Sequence, residues 1–309
     1  MLETSVRMRR LMTLRRVQRV IDQNFYNGPQ YKVETFGSTR NGLSSSESDL
    51  DIIVLDPERP NGFPDDENKK LPGIYNARRL GSLFHRAGFT EVETIPWAAT
   101  PIVKFKDPVT SLHCDLNINE RLGAINSDLI STYCDILPPL RPMLRSIKSW
   151  AKSRSLNNPS PQGNHPRSFS SYSLVIMTLG FLQIRGYLPN LQAGLPDKED
   201  HRLQFWIRRP QPLLCDYRFF TQPPPGWKLP DILPQEDILR DWFRFWGDEF
   251  DSNGQMLSIS QGGILERGKQ SSANAPLCVI DPFIPTKVRP PPLPSPLSPL
   301  LIDTPHRRT

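Results

Sequence analysis

The sequence predicts an α+β protein: a mixed sheet with flanking helices over residues 31–125, then a mostly helical domain over residues 126–287. Three observations predict it. Up to about residue 125 the apolar residues come in short runs broken by glycine, proline and polar loops, the pattern of strands with interspersed helices. Beyond Asn126 the apolar stretches lengthen and follow three- and four-residue steps, the pattern of helices. The 309 residues also give each part enough chain for a core of its own.

Residues 1–30 read as a helix, because Leu11, Leu14, Val17, Val20 and Ile21 recur at helical steps and Tyr26-Asn27-Gly28-Pro29 ends the pattern. This helix is expected to pack back onto the helical domain. Its arginines (Arg7, Arg9, Arg10, Arg15, Arg16, Arg19), set against a single acid, Glu3, fit an organelle-targeting presequence as the alternative. Val33 to Phe36 reads as a strand broken by Gly37-Ser38, and Leu50 to Leu55 as the next. A polar loop from Pro57 to Pro72 leads to a helix from Tyr75 to Ala87 that Gly88 closes. Glu91 to Ile95, Ile102 to Phe105 and Leu112 to Ile118 are three more strands. Ser127 is expected to cap a helix running to Leu137, where Pro138-Pro139 stops it. Helices follow from about Pro142 to Ser153 and from Ser170 to Gly186, the latter apolar enough to be largely buried. Residues 187–234 read as a proline-interrupted connector. Ile238 to Phe250 is a helix whose Trp242, Phe243, Phe245, Trp246 and Phe250 belong to the core. Residues 288–309 read as a disordered proline-rich tail, with a polyproline ligand for an SH3-like partner as the alternative.

Hydrophobic content of 37% and charged content of 23% describe a soluble globular chain, although 33 prolines is about twice ordinary usage. A formal charge of +6 favours a polyanionic partner or substrate. The four cysteines (Cys114, Cys134, Cys215, Cys278) show no CxxC spacing, which argues against structural zinc and for a reducing compartment. No apolar run is long enough for a transmembrane helix, and no secretory signal is visible.

Three aspartates carry the chemistry. Residues two apart on a strand face the same way, so Asp49 and Asp51 stand side by side just after the Gly37-Ser38 turn. Two anions on one pleat repel each other unless a cation lies between them. Asp115, in the run His113-Cys114-Asp115-Leu116-Asn117-Ile118, offers a third carboxylate. Three such groups on neighbouring strands would cage two hard divalent ions, the arrangement that serves in-line phosphoryl transfer. Lys148 and Lys152 lie four apart, hence on one helix face, with Arg145 three residues earlier. That face suits phosphates, with a solvated helical face as the alternative. Gly-Ser is also an everyday turn pair, Asn126 an ordinary helix cap, and Tyr172 an ordinary core residue.

The string Phe36-Gly37-Ser38-Thr39-Arg40-Asn41-Gly42 … Ser48-Asp49-Leu50-Asp51-Ile52 resembles the GS…DxD signature of the DNA polymerase β-like nucleotidyltransferases. Pro101-Ile102-Val103-Lys104-Phe105, Cys114-Asp115-Leu116, Asn126-Ser127, Lys148-Ser149-Trp150-Ala151-Lys152 and Ser170-Ser171-Tyr172-Ser173-Leu174 follow in order. Together they resemble the template-independent RNA-tailing enzymes, the cytoplasmic-type poly(A) polymerases and terminal uridylyltransferases. Phe243-Arg244-Phe245-Trp246, Ser258-Ile259-Ser260-Gln261-Gly262-Gly263 and Asp281-Pro282-Phe283 resemble their poly(A)-polymerase-associated segment, so the likeness spans about residues 30–287.

The resemblance implies a polymerase β-like palm, a helical central domain and an active site in the cleft between them. It implies that Asp49 and Asp51 hold Mg²⁺ (or Mn²⁺) against an incoming triphosphate, and that Asp115 holds the ion at an RNA 3′-hydroxyl. Gly37 and Ser38 would bind the triphosphate, Lys148 and Lys152 its β- and γ-phosphates, and Ser171 the terminal phosphate. Tyr172 would stack on the base, Asn126 would read the ribose 2′-hydroxyl, and Asp281 would line the nucleotide pocket. The implied partners are an RNA 3′ end and ATP or UTP; with no RNP, KH or zinc-knuckle motif visible, RNA is gripped by the basic cleft or delivered by a protein partner. ATP stands slightly ahead, since uridylyl-transferring members carry a histidine shortly after Asp-Pro-Phe where this chain has Lys287. The family usually continues there into another helix, so the proline-rich end reads as a truncated or mis-spliced terminus. A cytoplasmic location is expected, with nucleus or mitochondrion as alternatives and no membrane association. The rival readings are an inactive RNA- or protein-binding scaffold and a nucleotidyltransferase acting on small molecules.

Overall fold

A computed structural model describes residues 2–63, 71–98, 100–159, 168–196, 204–207, 213–231, 234–267, 277–284 and 288–289. It divides into two compact units, Met1–Ser131 with Asp197–Arg218, and Thr132–Pro196 with Phe219–Thr309.

The first unit is built on β1 (Lys32–Thr35), β2 (Leu50–Leu55), β3 (Thr90–Ile95), β4 (Ile102–Asp107) and β5 (Leu112–Ile118), in the order β1-β2-β5-β4-β3. Only β2 and β5 run parallel; every other pair is antiparallel. Alternation assigns the faces. Leu50, Ile52 and Val54 of β2, Val103 and Phe105 of β4, and Cys114, Leu116 and Ile118 of β5 turn into the core. The remaining positions, among them Asp51, Lys104 and Asp115, fall on the opposite face. The core is closed by Val17, Val20 and Ile21 from α1 (Leu2–Asn24), and by Leu80, Leu83 and Phe84 from the helix Ala77–Arg86. The latter is α3, a single turn Gly37–Arg40 being α2.

Three expectations are corrected here. α1 belongs to the sheet unit, not to the helical domain. Its apolar stripe meets the sheet, and a polar clamp fixes the match. Thr13 Oγ1 donates to Asp107 Oδ2 at 2.9 Å, Arg16 Nε stands 3.2 Å from Asp107 Oδ1, and Arg9 Nε donates to Thr110 O at 2.9 Å. Asp107 is fully buried, so its charge has to be met inside the fold. Next, the supposed connector holds an antiparallel hairpin, β6 (Gln204–Ile207) with β7 (Leu213–Asp216), that joins the first unit. Trp206 N donates to Asn61 O at 2.9 Å, and Gly62 lets the Phe205 ring approach where a Cβ would meet it at 3.1 Å. Finally, Ser127 is no cap: α4 (Leu122–Ile136) starts before it, and the Ser127 hydroxyl bonds back to Gly123 O at 2.6 Å.

The second unit holds α5 (Leu140–Ser153), α6 (Ser171–Ile184) and α7 (Gln235–Arg244), the last running into a π-turn at Phe245–Glu249. It also carries a small sheet that periodicity did not announce, β8 (Gln255–Ser258), β9 (Gly263–Glu266), β10 (Val279–Ile280) and β11 (Val288–Arg289), ordered β11-β10-β8-β9. Val288 and Arg289, assigned to the tail, therefore pair with β10, while residues 290–309 lie outside the described residues. Ser170 caps α6, its Oγ accepting from Ser173 N at 3.0 Å, and every residue from Ser173 to Gln183 is buried. Trp242, Phe245 and Trp246 are buried, as the aromatic stripe requires. Arg185 Nε and Nη2 grip the two Asp241 oxygens at 2.7 and 3.0 Å, and those bonds hold the Asp241 carboxyl below its ordinary range.

Gly180 is where α6 meets β8: a Cβ there would stand 2.7 Å from Leu257 Cδ2. Gly180→Leu is therefore expected to lower the unfolding free energy by about 3 kcal/mol through overpacking. Urea denaturation reads this, and a midpoint equal to wild type would contradict the packing.

Candidate active site

Two of the three aspartates share one face of the first sheet. Asp51 of β2 and Asp115 of β5 are direct partners in the parallel pair, and Asp49 precedes Asp51 by two residues at the exposed mouth of β2. A parallel pair with aligned acids is costly in itself, since like charges on neighbouring strands repel. Cys114, buried on the core side of β5, registers their field. Burial first, then Asp107, Asp115, Asp49 and Asp51, push its thiol far above the ordinary range.

The Gly37 turn stands directly against this pair. Gly37 has φ +64°, and a Cβ there would run into the Asp51 carboxylate. Phe36 N donates to Asp51 O at 3.1 Å, extending the β1–β2 pairing up to the turn. α4 braces the turn from the other side. Gly37 N donates to Ser127 Oγ at 2.7 Å, and Arg40 holds Asp128 through Nε at 2.5 Å and Nη2 at 2.8 Å. The Gly37 amide, expected beside a triphosphate, is thus engaged by Ser127. Ser38 lies next to it, half-buried, and Asn126 is buried one residue before Ser127. Arg10 of α1 steadies the loop leading to Asp49, with Nη1 on Ser44 Oγ and Nη2 on Ser45 O, each at 2.7 Å.

The other expected residues belong to the second unit. Lys148 and Lys152 lie on α5, the first half-buried and the second exposed. Ser171 opens α6 and accepts from Asn157 Nδ2 at 3.0 Å, with Tyr172 half-buried beside it. Asp281 is only 2% exposed, and its Oδ1 accepts from Phe283 N at 3.0 Å and Ile284 N at 3.2 Å. That carboxylate shapes its own Asp-Pro-Phe loop.

Carboxylate oxygens, with no thiol or imidazole among them, are the donors that a hard divalent ion prefers. What the fold provides is their alignment. Among the described residues, no three acidic, histidine or cysteine side chains are grouped so that they could hold a metal ion. One neighbour went unread in the sequence. Lys104 Nζ stands 2.7 Å from Asp115 Oδ2, on the strand flanking β5. Counting back through the β4–β5 hairpin would have found it, because Lys104 and Asp115 are cross-strand partners.

The sheet unit thus sets aligned acids beside a braced glycine-serine turn. Residues 2–135 match the family model for the central palm domain of mitochondrial-like poly(A) RNA polymerase, and residues 237–287 match that of the Cid1 family of poly(A) polymerases. The chain thus carries the two domains of the GLD2- and Cid1-type polymerases, a mitochondrial-like poly(A) polymerase palm and a poly(A)-polymerase-associated segment.

Over 264 residues it is 31% identical to poly(A) RNA polymerase GLD2 of Rattus norvegicus, covering 82% of this chain and 50% of the relative. Over 285 residues it is 32% identical to poly(A) RNA polymerase cid13 of Schizosaccharomyces pombe, covering 89% of this chain and 44% of the relative. The chain thus spans about half the length of these curated relatives. Among solved structures, a mutant Cid1 poly(U) polymerase bound to MgATP aligns with TM-score 0.70 and 23% identity, over 97% of this chain and 85% of that one. A mutant mtPAP in complex with ATPγS aligns with TM-score 0.70 and 22% identity, over 95% of this chain and 61% of that one. These likenesses establish the fold. Among the described residues no helix is long and apolar enough to cross a membrane.

Proposed function

We propose that this chain adds ribonucleotides to RNA 3′ ends without a template, AMP in preference to UMP, releasing pyrophosphate at each step. The observation that carries this reading is the register of Asp51 with Asp115 on parallel neighbouring strands, beside the Gly37 turn. The fold's relatives, named as poly(A) RNA polymerases, support it.

In this reading Asp49, Asp51 and Asp115 hold magnesium, which when bound neutralises the charge developing on the transferring phosphoryl group. The side chains supply position and proton handling. Ser38 hydrogen-bonds a triphosphate oxygen, while the Ser127 and Arg40 braces keep its turn from drifting away from Asp51. Lys148 and Lys152 neutralise the β- and γ-phosphates, Ser171 hydrogen-bonds the terminal one, and together they ease departure of pyrophosphate. Tyr172 stacks on the base. Asn126 favours ribose through its 2′-hydroxyl. Asp115, on the strand beside the nucleotide-facing pair, orients the RNA 3′-hydroxyl for in-line attack on the α-phosphate and accepts its proton. Asp281 acts indirectly, holding the Asp-Pro-Phe loop in shape. The absence of a histidine at Lys287 underlies the choice of ATP, and the cytoplasm is the location we assign.

The test offers each of the four NTPs, with magnesium, to a short RNA primer and sequences the added tails. Adenosine tails are expected. Uridine tails would overturn the base preference, and no extension with any nucleotide would favour a scaffold role.

A further inference from the structure

We propose that Lys104 is the positioning residue of the third carboxylate, fixing which Asp115 oxygen faces Asp49 and Asp51 and offsetting the repulsion among the three acids. The inference rests on the nucleotidyl-transfer reading above and adds a residue to it.

Register places the groups. Asp51 pairs with Asp115 across β2 and β5, Asp115 with Lys104 across β5 and β4, and Lys104 with Glu93 across β4 and β3. Direct partners share a face, so one row of side chains crosses the sheet with Asp115 between an anion and a cation. Lys104 Nζ takes Asp115 Oδ2 at 2.7 Å, so the ammonium engages one of the two carboxylate oxygens while Asp51 stands across the other neighbouring strand. The neighbouring lysine on the same face does otherwise: Lys106 Nζ turns outward to Glu91 Oε1 at 3.2 Å. Across β5 Lys106 faces His113 and Lys104 faces Asp115, so each lysine takes the acid within its reach.

Folding stability is not what the Lys104–Asp115 pair chiefly supplies. The side chains of Lys104 and Asp115 are 40% and 30% exposed, and ion pairs that open to water contribute little to folding. What the ammonium does is local. It compensates part of the charge that crowding these carboxylates creates, and it holds one of them in a single orientation. These two effects pull a metal-binding measurement and a rate measurement in opposite directions. Removing the cation makes the face more negative and hence more attractive to divalent ions. It also frees Asp115 to rotate, and misplacement of a reacting group is costly in rate.

The experiment uses the full chain, wild type beside Lys104→Met, Lys104→Arg and Asp115→Asn. Turnover on an RNA primer and the nucleotide KM are measured, and Mn²⁺ binding in the presence of a non-hydrolysable ATP analogue is followed by calorimetry. Lys104→Met is expected to lower kcat by about tenfold with KM within about twofold of wild type. It should also bind Mn²⁺ roughly threefold more tightly. Lys104→Arg, which can still donate to Oδ2, should recover most of the rate. Wild-type kcat in Lys104→Met would overturn the proposal. So would a lower rate with unchanged Mn²⁺ affinity, or a rate that Lys104→Arg does not recover. If the wild type extends no primer, the transfer reading fails instead, while the Mn²⁺ comparison still reports on Lys104.

Discussion

Asp51→Asn is expected to reduce RNA-primed nucleotide incorporation by about 10³-fold or more while leaving the protein folded. The substitution keeps the shape of the side chain and removes only its charge and one acceptor oxygen. Asp51 occupies the centre of the acidic row, in register with Asp115 and against the Gly37 turn. No other carboxylate takes that place, since β2 continues Ile52-Ile53-Val54. The same change relieves repulsion with Asp115 and Asp49, so the melting temperature should hold or rise by about 1–3 °C, as when a functional site is relaxed. Primer extension and thermal melting on one preparation check both halves. An Asp51→Asn protein that still extends RNA at a tenth of the wild-type rate would remove this residue from the chemistry.

Gly37→Ala should cost about 10²-fold in the same extension assay. Two penalties converge on one methyl group. The backbone sits at φ +64°, a conformation that costs a non-glycine residue about 1 kcal/mol. The new Cβ would also press on the Asp51 carboxylate, with its Cγ at 3.0 Å. The turn has little room to retreat, because Ser127 Oγ holds the Gly37 amide at 2.7 Å and Arg40 is tied to Asp128. The carboxylate must give way instead. Because Gly37→Ala displaces the Asp51 carboxylate without deleting it, raised Mg²⁺ or added Mn²⁺ should, on the proposed reading, recover part of its activity and none of that of Asp51→Asn. Equal response of the two variants to metal would mean that the turn acts on something other than Asp51.

Much of the sheet unit was legible in the residues. Leu50–Leu55 and Leu112–Ile118 form as the apolar patterns indicate, each bounded by residues that break strands. Their parallel pairing was not legible, because register between strands some sixty residues apart depends on everything that folds between them. The α1 stripe announced a buried face without naming its partner; the clamp on Asp107 decides that, and it joins residues 94 apart. Ser127 carries the same signal whether it caps a helix or bonds back to a carbonyl one turn earlier, and only Gly37 shows which. The β6–β7 hairpin was masked by brevity, with four-residue strands set among prolines. The acids and the Gly37 turn stood out because their chemistry is unusual on any strand. Lys104 did not, since a lysine on an alternating strand looks like ordinary solvated surface until its cross-strand partner is known.

The chain order of the two units carries a consequence for synthesis. Asp197–Arg218 interrupts the second unit and returns to the first. A nascent polypeptide therefore reaches residue 218 before its earliest-made unit has all its parts, and until then Asn61 O and the space beside Gly62 lack their native occupants, Trp206 and Phe205. Neither half can be completed on the ribosome before the other has begun. For the same reason no single scission of the gene yields an intact half.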